Sequence, residues 1–221
     1  MSLDRTTVLA GVTDELRILA ELVGSLSTAD LRLPTRCAGW EVTDVAGHAI
    51  GVVVDITEGR LEGQGTAEVN DRQARERRGR SASDLAAELS EATPKLTSLL
   101  ASLPEEAWDG PSLNDPRYTL GFSVEAIWFD AYLHGDDIRV ALHAPSLRGA
   151  GLRCAVHHVA GYLAQRGQPM TLELDGIERI EVAGGGLSIT GDPLTFVLAA
   201  TGRADPEPMG LPESINVYGT S

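Results

Sequence analysis

A carboxylate and an imidazole stand four residues apart in the segment Trp128-Phe129-Asp130-Ala131-Tyr132-Leu133-His134-Gly135-Asp136-Asp137-Ile138-Arg139. Residues at i and i+4 lie one above the other on a helix face. Ile127, Trp128, Ala131, Ile138 and Ala141 recur at helical spacing, which turns Asp130 and His134 towards the core side. Polar groups on a buried stripe need partners, because burial without them is costly. A divalent metal ion would satisfy both, with His48 as the candidate third ligand. Two imidazoles and one carboxylate leave positions open for water or a thiolate, so zinc is the first expectation and nickel, iron and manganese are alternatives. The same spacing also fits an internal ion pair or a hydrogen-bonded core histidine, and the residues alone leave these readings open.

Other polar residues carry weaker signals. One of Asp136 and Asp137 can serve as an acceptor behind a ligand histidine, while a solvated helix face is expected for at least one of them. His143 falls near a helix end, where it is expected to meet the last carbonyls. His157 and His158 are adjacent, point apart on a helix and read as structural. Arg203, in Thr201-Gly202-Arg203, either forks onto the carboxylate of an anionic ligand or is a surface arginine after a glycine C-cap. Cys37 as a nucleophile has no histidine nearby in sequence. Gly184-Gly185-Gly186 suits a turn between strands, not a phosphate cradle.

The elements that must position these residues are mostly helical. The periodicity predicts a first helix from about Asp4 to Leu26 on the stripe Val8, Val12, Leu16, Leu19, Val23 and Leu26. A loop over 27–39 precedes a second helix from near Thr43, with Val45, Ala49, Val52, Val53 and Ile56 as its stripe and His48 within it. Residues 59–79 read as a long loop or exposed lid, with Arg72, Arg75, Arg77, Arg78 and Arg80 as a solvated cluster. A third helix from near Ser83 is interrupted at Pro94, and a loop over 104–120 leads to a fourth helix over 121–143. Four such helices can close a bundle. After Pro145 the pattern predicts a helix over 147–165 and short strands at 170–174, 180–182 and 187–190, the last two as a hairpin. A helix over 194–200 behind Asp192-Pro193 and a last strand at 215–218 follow. The expected architecture is a four-helix bundle over residues 1–145 and a small α+β domain over 146–221.

Composition narrows the partners. The net charge is −14, so nucleic acid and anionic membrane surfaces are disfavoured. No apolar run reaches the roughly 20 residues of a membrane span. The N-terminus lacks the apolar stretch of a secretory signal. A cytoplasmic protein with Cys37 and Cys154 reduced is therefore expected, as a monomer or homodimer.

The segments Trp40-Glu41-Val42-Thr43-Asp44-Val45-Ala46-Gly47-His48, Trp128 through Leu142 and Leu194 through Arg203 resemble, in order and separation, the mycothiol-dependent maleylpyruvate isomerase family of DinB-like metal-binding bundles. The resemblance implies a DinB-like bundle with a divalent metal, usually zinc, at the positions of His48, Asp130 and His134; Asp130 stands where the family typically has glutamate. It implies a sterol-carrier-like C-terminal domain in which Arg203 matches an arginine linked to activity. It also implies mycothiol as the thiol cofactor, with a small electrophilic molecule as substrate for isomerisation or S-transfer. A non-catalytic small-molecule or partner-binding module with a vestigial metal site is the alternative of a different class. A metal-dependent hydrolase is the third.

Overall fold

Capping side chains set where the helices begin in the computed structural model of the chain, which describes residues 3–219. Helix α1 (Arg5–Gly24) starts where the Asp4 carboxylate accepts the Thr7 N–H at 3.0 Å. Helix α2 (Val42–Thr57) starts with the Glu41 N–H donating to the Asp44 carboxylate at 3.1 Å. Ser81 caps α4 (Ala82–Ser102) and Thr119 caps α6 (Leu120–Ala141), each accepting a backbone N–H, at 3.1 and 3.2 Å. A cap of this kind contributes about 1 kcal/mol to a helix. Two shorter helices, α3 (Ala67–Arg75) and α5 (Glu105–Trp108), lie between these.

The described chain divides into two compact units, Asp4–Leu147 and the residues from Arg148 onward. In the first, α1 packs on α4 and α6, and α2 packs on the same two, so the bundle runs as a ring α1–α4–α2–α6. Val8, Val12, Leu16, Leu19 and Val23 of α1 meet Leu85, Leu89 and Leu96 of α4 in a fully buried core. Helix α6 is buried nearly all the way round, including Glu125, His134, Asp136, Asp137 and Arg139. Trp128 of α6 fills space left by Gly11 of α1; a Cβ on Gly11 would fall 2.2 Å from the indole ring. The indole N–H donates to the buried Glu15 carboxylate at 3.2 Å.

Several sequence expectations change here. Residues 59–79 contain α3, which lies on α2. The arginine cluster is a solvated face only in part: Arg75 and Arg78 are exposed, but Arg77 is buried, Arg72 binds Asp55 at 2.5 Å, Arg78 binds Asp44 at 2.6 Å, and Arg77 and Arg80 both bind Glu88 of α4. These guanidiniums neutralise carboxylates of α2 and α4, which composition alone does not show. Val45, Ala49 and Val53 of the expected stripe are buried, Val52 and Ile56 are only half-buried, and a further buried face of α2 runs through His48, Gly51 and Asp55 against α3. Pro94 sits inside α4 without ending it.

In the second unit, α7 (Ala150–Gln165) precedes a three-stranded sheet ordered β2–β1–β3, with α8 (Pro193–Ala200) after it. Strand β1 (Met170–Leu174) is central, antiparallel to β2 (Ile180–Val182) and parallel to β3 (Leu187–Gly191). The expected β2–β3 hairpin is therefore replaced by a crossing from one edge to the other. Gly186 permits it, since a Cβ there would lie 2.7 Å from the Pro169 carbonyl oxygen. The expected last strand is also absent: Glu213–Ile215 is a single 3-10 turn, and Val217 donates one backbone bond to Ala200 O at 2.8 Å. Among the described residues no helix is long and apolar enough to cross a membrane.

Candidate metal centre

His48 stands midway along α2, and Asp130 and His134 stand one turn apart on α6. The two helices are neighbours in the ring, so three residues of two distant segments share one place. A donor atom from each lies within 4.8 Å of the others. Asp130 Oδ1 is 3.4 Å from His134 Nε2 and 3.8 Å from His48 Nε2. Both distances exceed an ordinary hydrogen bond. Nitrogen and oxygen donors about 2.0–2.2 Å from one tetrahedral ion stand about 3.3–3.6 Å apart, which brackets the shorter distance and approaches the longer. The two imidazole rings meet edge to face with centroids 5.0 Å apart. Both histidines are buried, while the Asp130 side chain keeps 28% of its surface exposed. The set is therefore closed on the histidine side and open on the carboxylate side.

What lies behind the rings fixes their orientation. His48 Nδ1 is 2.8 Å from Gln73 Oε1, and His134 Nδ1 is 2.9 Å from Asp137 Oδ2. Each Nδ1 thus faces an acceptor, and each Nε2 faces Asp130. An acceptor behind the ring is the usual arrangement for a histidine that holds a metal through its other nitrogen. The residues present fit a divalent ion on these grounds: donor type, spacing, ring orientation and an open side.

Asp137 is itself held from outside α6. Arg36 donates through Nε to Asp137 and through its terminal nitrogen to Asp136, both at 2.5 Å, and the Cys37 thiol donates to Asp137 at 3.2 Å. Both aspartates are buried, so neither is the solvated residue expected from sequence; the Arg36 hydrogen bonds and counter-charge stand in for the solvation they lose. Cys37, His134 and Asp137 form a second cluster of metal-capable donors. Their separations are hydrogen-bond lengths, so a hydrogen-bond chain accounts for them. Arg36 and Gln73 were invisible as site residues, and the tie of Cys37 to Asp137 likewise, because 100 residues or a helix boundary separate each from its partner.

The charges support one another. Burial opposes the charged form of Asp130, but His134 one turn along holds its carboxyl far below the usual range. Burial likewise disfavours a charged His134, but Asp130, followed by Asp137 and Cys37, raises it well above an ordinary histidine.

Arg203 belongs to the second unit, whereas the other three candidate residues belong to the first. Gly202 before it takes the left-handed conformation, φ +70°, as a glycine after a helix does. The Arg203 guanidinium donates to Thr201 O at 3.4 Å. His143 is exposed, His157 binds Glu178 at 2.9 Å, and His158 is buried against Tyr162.

Residues 12–139, more than half the chain and all three convergent donors, match the family described as the mycothiol maleylpyruvate isomerase N-terminal domain. The chain belongs to this family. Its fold is also that of the crystal structure of the mycothiol-dependent maleylpyruvate isomerase, with TM-score 0.63 and 14% identity over 96% of each chain. A histidine-to-alanine variant of that enzyme gives TM-score 0.59 and 16% identity over the same share of each chain. No curated protein matches the chain. At these identities the structural likeness speaks to the fold, and the family membership rests on the match over 12–139.

Proposed function

We propose that this chain is a metal-dependent enzyme that uses mycothiol to isomerise, or to transfer sulfur onto, a small electrophilic substrate. The observation that carries the reading is the convergence of His48 Nε2, His134 Nε2 and Asp130 Oδ1 at spacings too long for hydrogen bonds, with both Nδ1 atoms already occupied. Membership of a family named for a mycothiol-dependent isomerase supports the thiol and the reaction class. Two imidazoles and a carboxylate favour zinc.

His48, Asp130 and His134 would hold the ion, which would supply Lewis-acid chemistry that favours the thiolate form of a thiol at neutral pH. Asp137 keeps the His134 proton on Nδ1, and Arg36 balances its charge. The exposed flank of Asp130 leaves the approach for thiol and substrate. The thiolate sulfur forms a bond to an electrophilic carbon of a conjugated C=C while that π pair moves into the electron-withdrawing group of the substrate. For an isomerase, rotation about the former double bond precedes loss of the same thiol; for a transferase, the adduct is the product. Arg203, in a C-terminal unit proposed as sterol-carrier-like, would fork onto a carboxylate of the thiol or the substrate. A soluble enzyme of the cytoplasm suits these roles.

Metal analysis of the purified protein, coupled to a mycothiol titration of wild type and His134→Ala, tests the proposal. Stoichiometric metal and saturable thiol binding in wild type, both lost in the variant, are expected. Wild type without metal, together with unchanged activity in His48→Ala, would return the chain to the class of binding modules. Turnover at the same rate without thiol would make it a hydrolase.

A further inference from the structure

We propose that Asp55 is a positioning residue for the candidate metal centre: acting through Gln73, its carboxylate fixes His48 as the Nδ1–H tautomer and turns the Nε2 lone pair towards Asp130. The metal reading above enters only the affinity arm of the test.

Asp55 is fully buried on α2, seven residues beyond His48 on the same face. It is surrounded by donors. Arg60 reaches it through two nitrogens at 2.8 and 2.5 Å, Arg72 at 2.5 Å, Gln64 at 3.0 Å and Gln73 Nε2 at 2.7 Å. Burial opposes its charge, but the bonds from Arg72, Gln73, Arg60 and Gln64 keep its carboxyl below the usual range. An ionised carboxylate only accepts.

That fact propagates. Gln73 is fully buried and its amide spans the gap between Asp55 and His48. The end facing Asp55 must be the NH₂, whose other proton reaches Gln64 Oε1 at 3.2 Å. The end facing His48 must then be the carbonyl. A carbonyl 2.8 Å from Nδ1 requires a proton on that nitrogen. A neutral imidazole has one N–H, so Nε2 carries a lone pair. A free histidine side chain prefers the opposite tautomer, which would aim a proton at the ligand position.

The backbone is shaped for the relay. Gly51 lies between His48 and Asp55 on this face, and a Cβ there would fall 2.5 Å from Gln73 Cβ and 2.6 Å from its Cγ. At Gly47, one turn earlier, a Cβ would lie 3.1 Å from Arg77 Cβ and 3.2 Å from Ala74 O, a tight but looser approach. Helix α3 thus lies directly on the α2 backbone and delivers a neutral, buried amide to the face of α2 that carries His48 and Asp55.

The test is nitrogen-resolved NMR of the His48 ring in the metal-free full-length chain, with zinc affinity measured by chelator competition. Wild type should show the Nδ1–H tautomer. In Asp55→Asn the new amide can turn its NH₂ towards Gln73, which lets Gln73 reverse and His48 shift to Nε2–H. Gln73→Met keeps the volume and removes the acceptor, and should shift the tautomer likewise. Zinc affinity should fall about tenfold or more in both. An unchanged tautomer in Gln73→Met, or one that shifts in Gln73→Met but not in Asp55→Asn, overturns the proposal. Should Asp55→Asn fail to fold, wild type still decides. Cross-peaks from the Gln73 NH₂ to Asp55 support the relay, and cross-peaks to the His48 ring protons overturn it. A wild type with the Nδ1–H tautomer and no zinc affinity would sink the metal reading and leave the relay standing.

Discussion

Asp137, a carboxylate, and Gln73, a neutral amide, do the same geometric task for two histidines. The carboxylate behind His134 is buried, and its counter-cation Arg36 comes from a loop before α2. Asp137→Asn keeps an oxygen near Nδ1 but loses the charge and permits reversal of the amide. Metal affinity in this variant is expected to fall about tenfold, read by chelator competition. A separate residue-scale expectation concerns Glu178, which binds Arg153 and His157. Burial opposes ionisation of Glu178, but a backbone bond and the bonds from Arg153 and His157 hold its pKa down at about 2. A depressed carboxylate adds stability above its ordinary value of 4.5. That stability is lost as pH falls from there towards 2. Urea unfolding should therefore separate wild type from Glu178→Gln at pH 7 and bring them together as pH falls through this window. A gap that persists near pH 2 would assign the effect to packing.

At the scale of elements, glycines decide how closely the helices approach. Gly11→Ala would gain up to about 1 kcal/mol of helix propensity. The added methyl would meet the buried Trp128 ring at 2.2 Å. Overpacking of this kind costs about 1–3 kcal/mol, so a net loss of stability is expected in thermal or urea unfolding. The four bundle helices were legible in sequence because each carries an apolar stripe at helical spacing. The i, i+4 pair Asp130/His134 was legible for the same reason, since a single helix places both. Helix α3 was not legible. It is polar along most of its length, and what holds it are Arg72 and Gln73 on Asp55, contacts made across two helices. Arg77, read as solvated, is buried for the same reason, with its charge met by Glu88. The β2–β3 crossing was missed because glycines between short strands look alike whether they make a hairpin or pass the end of a strand.

At the scale of the molecule, the three convergent donors all lie within Asp4–Leu147, and Arg203 lies in the other compact unit. This division makes a clean expectation. Arg203→Ala should leave metal content and the unfolding of the bundle unchanged while weakening thiol or substrate affinity, measured by titration calorimetry. Equal affinity in the variant would remove Arg203 from the site and leave the surface-arginine reading. The charge of −14 has a local side as well, since Arg36, Arg72 and Arg77 are placed on buried or half-buried carboxylates. One feature of the site sets its place in time. The bonds from Arg36 to Asp136 and Asp137 close 100 and 101 residues of chain. Loop-closure entropy makes such contacts slow to form compared with helices and their local pairs. The helices must therefore dock before the site exists, so a metal ion held there would be a late guest in a finished frame, not the template of its assembly.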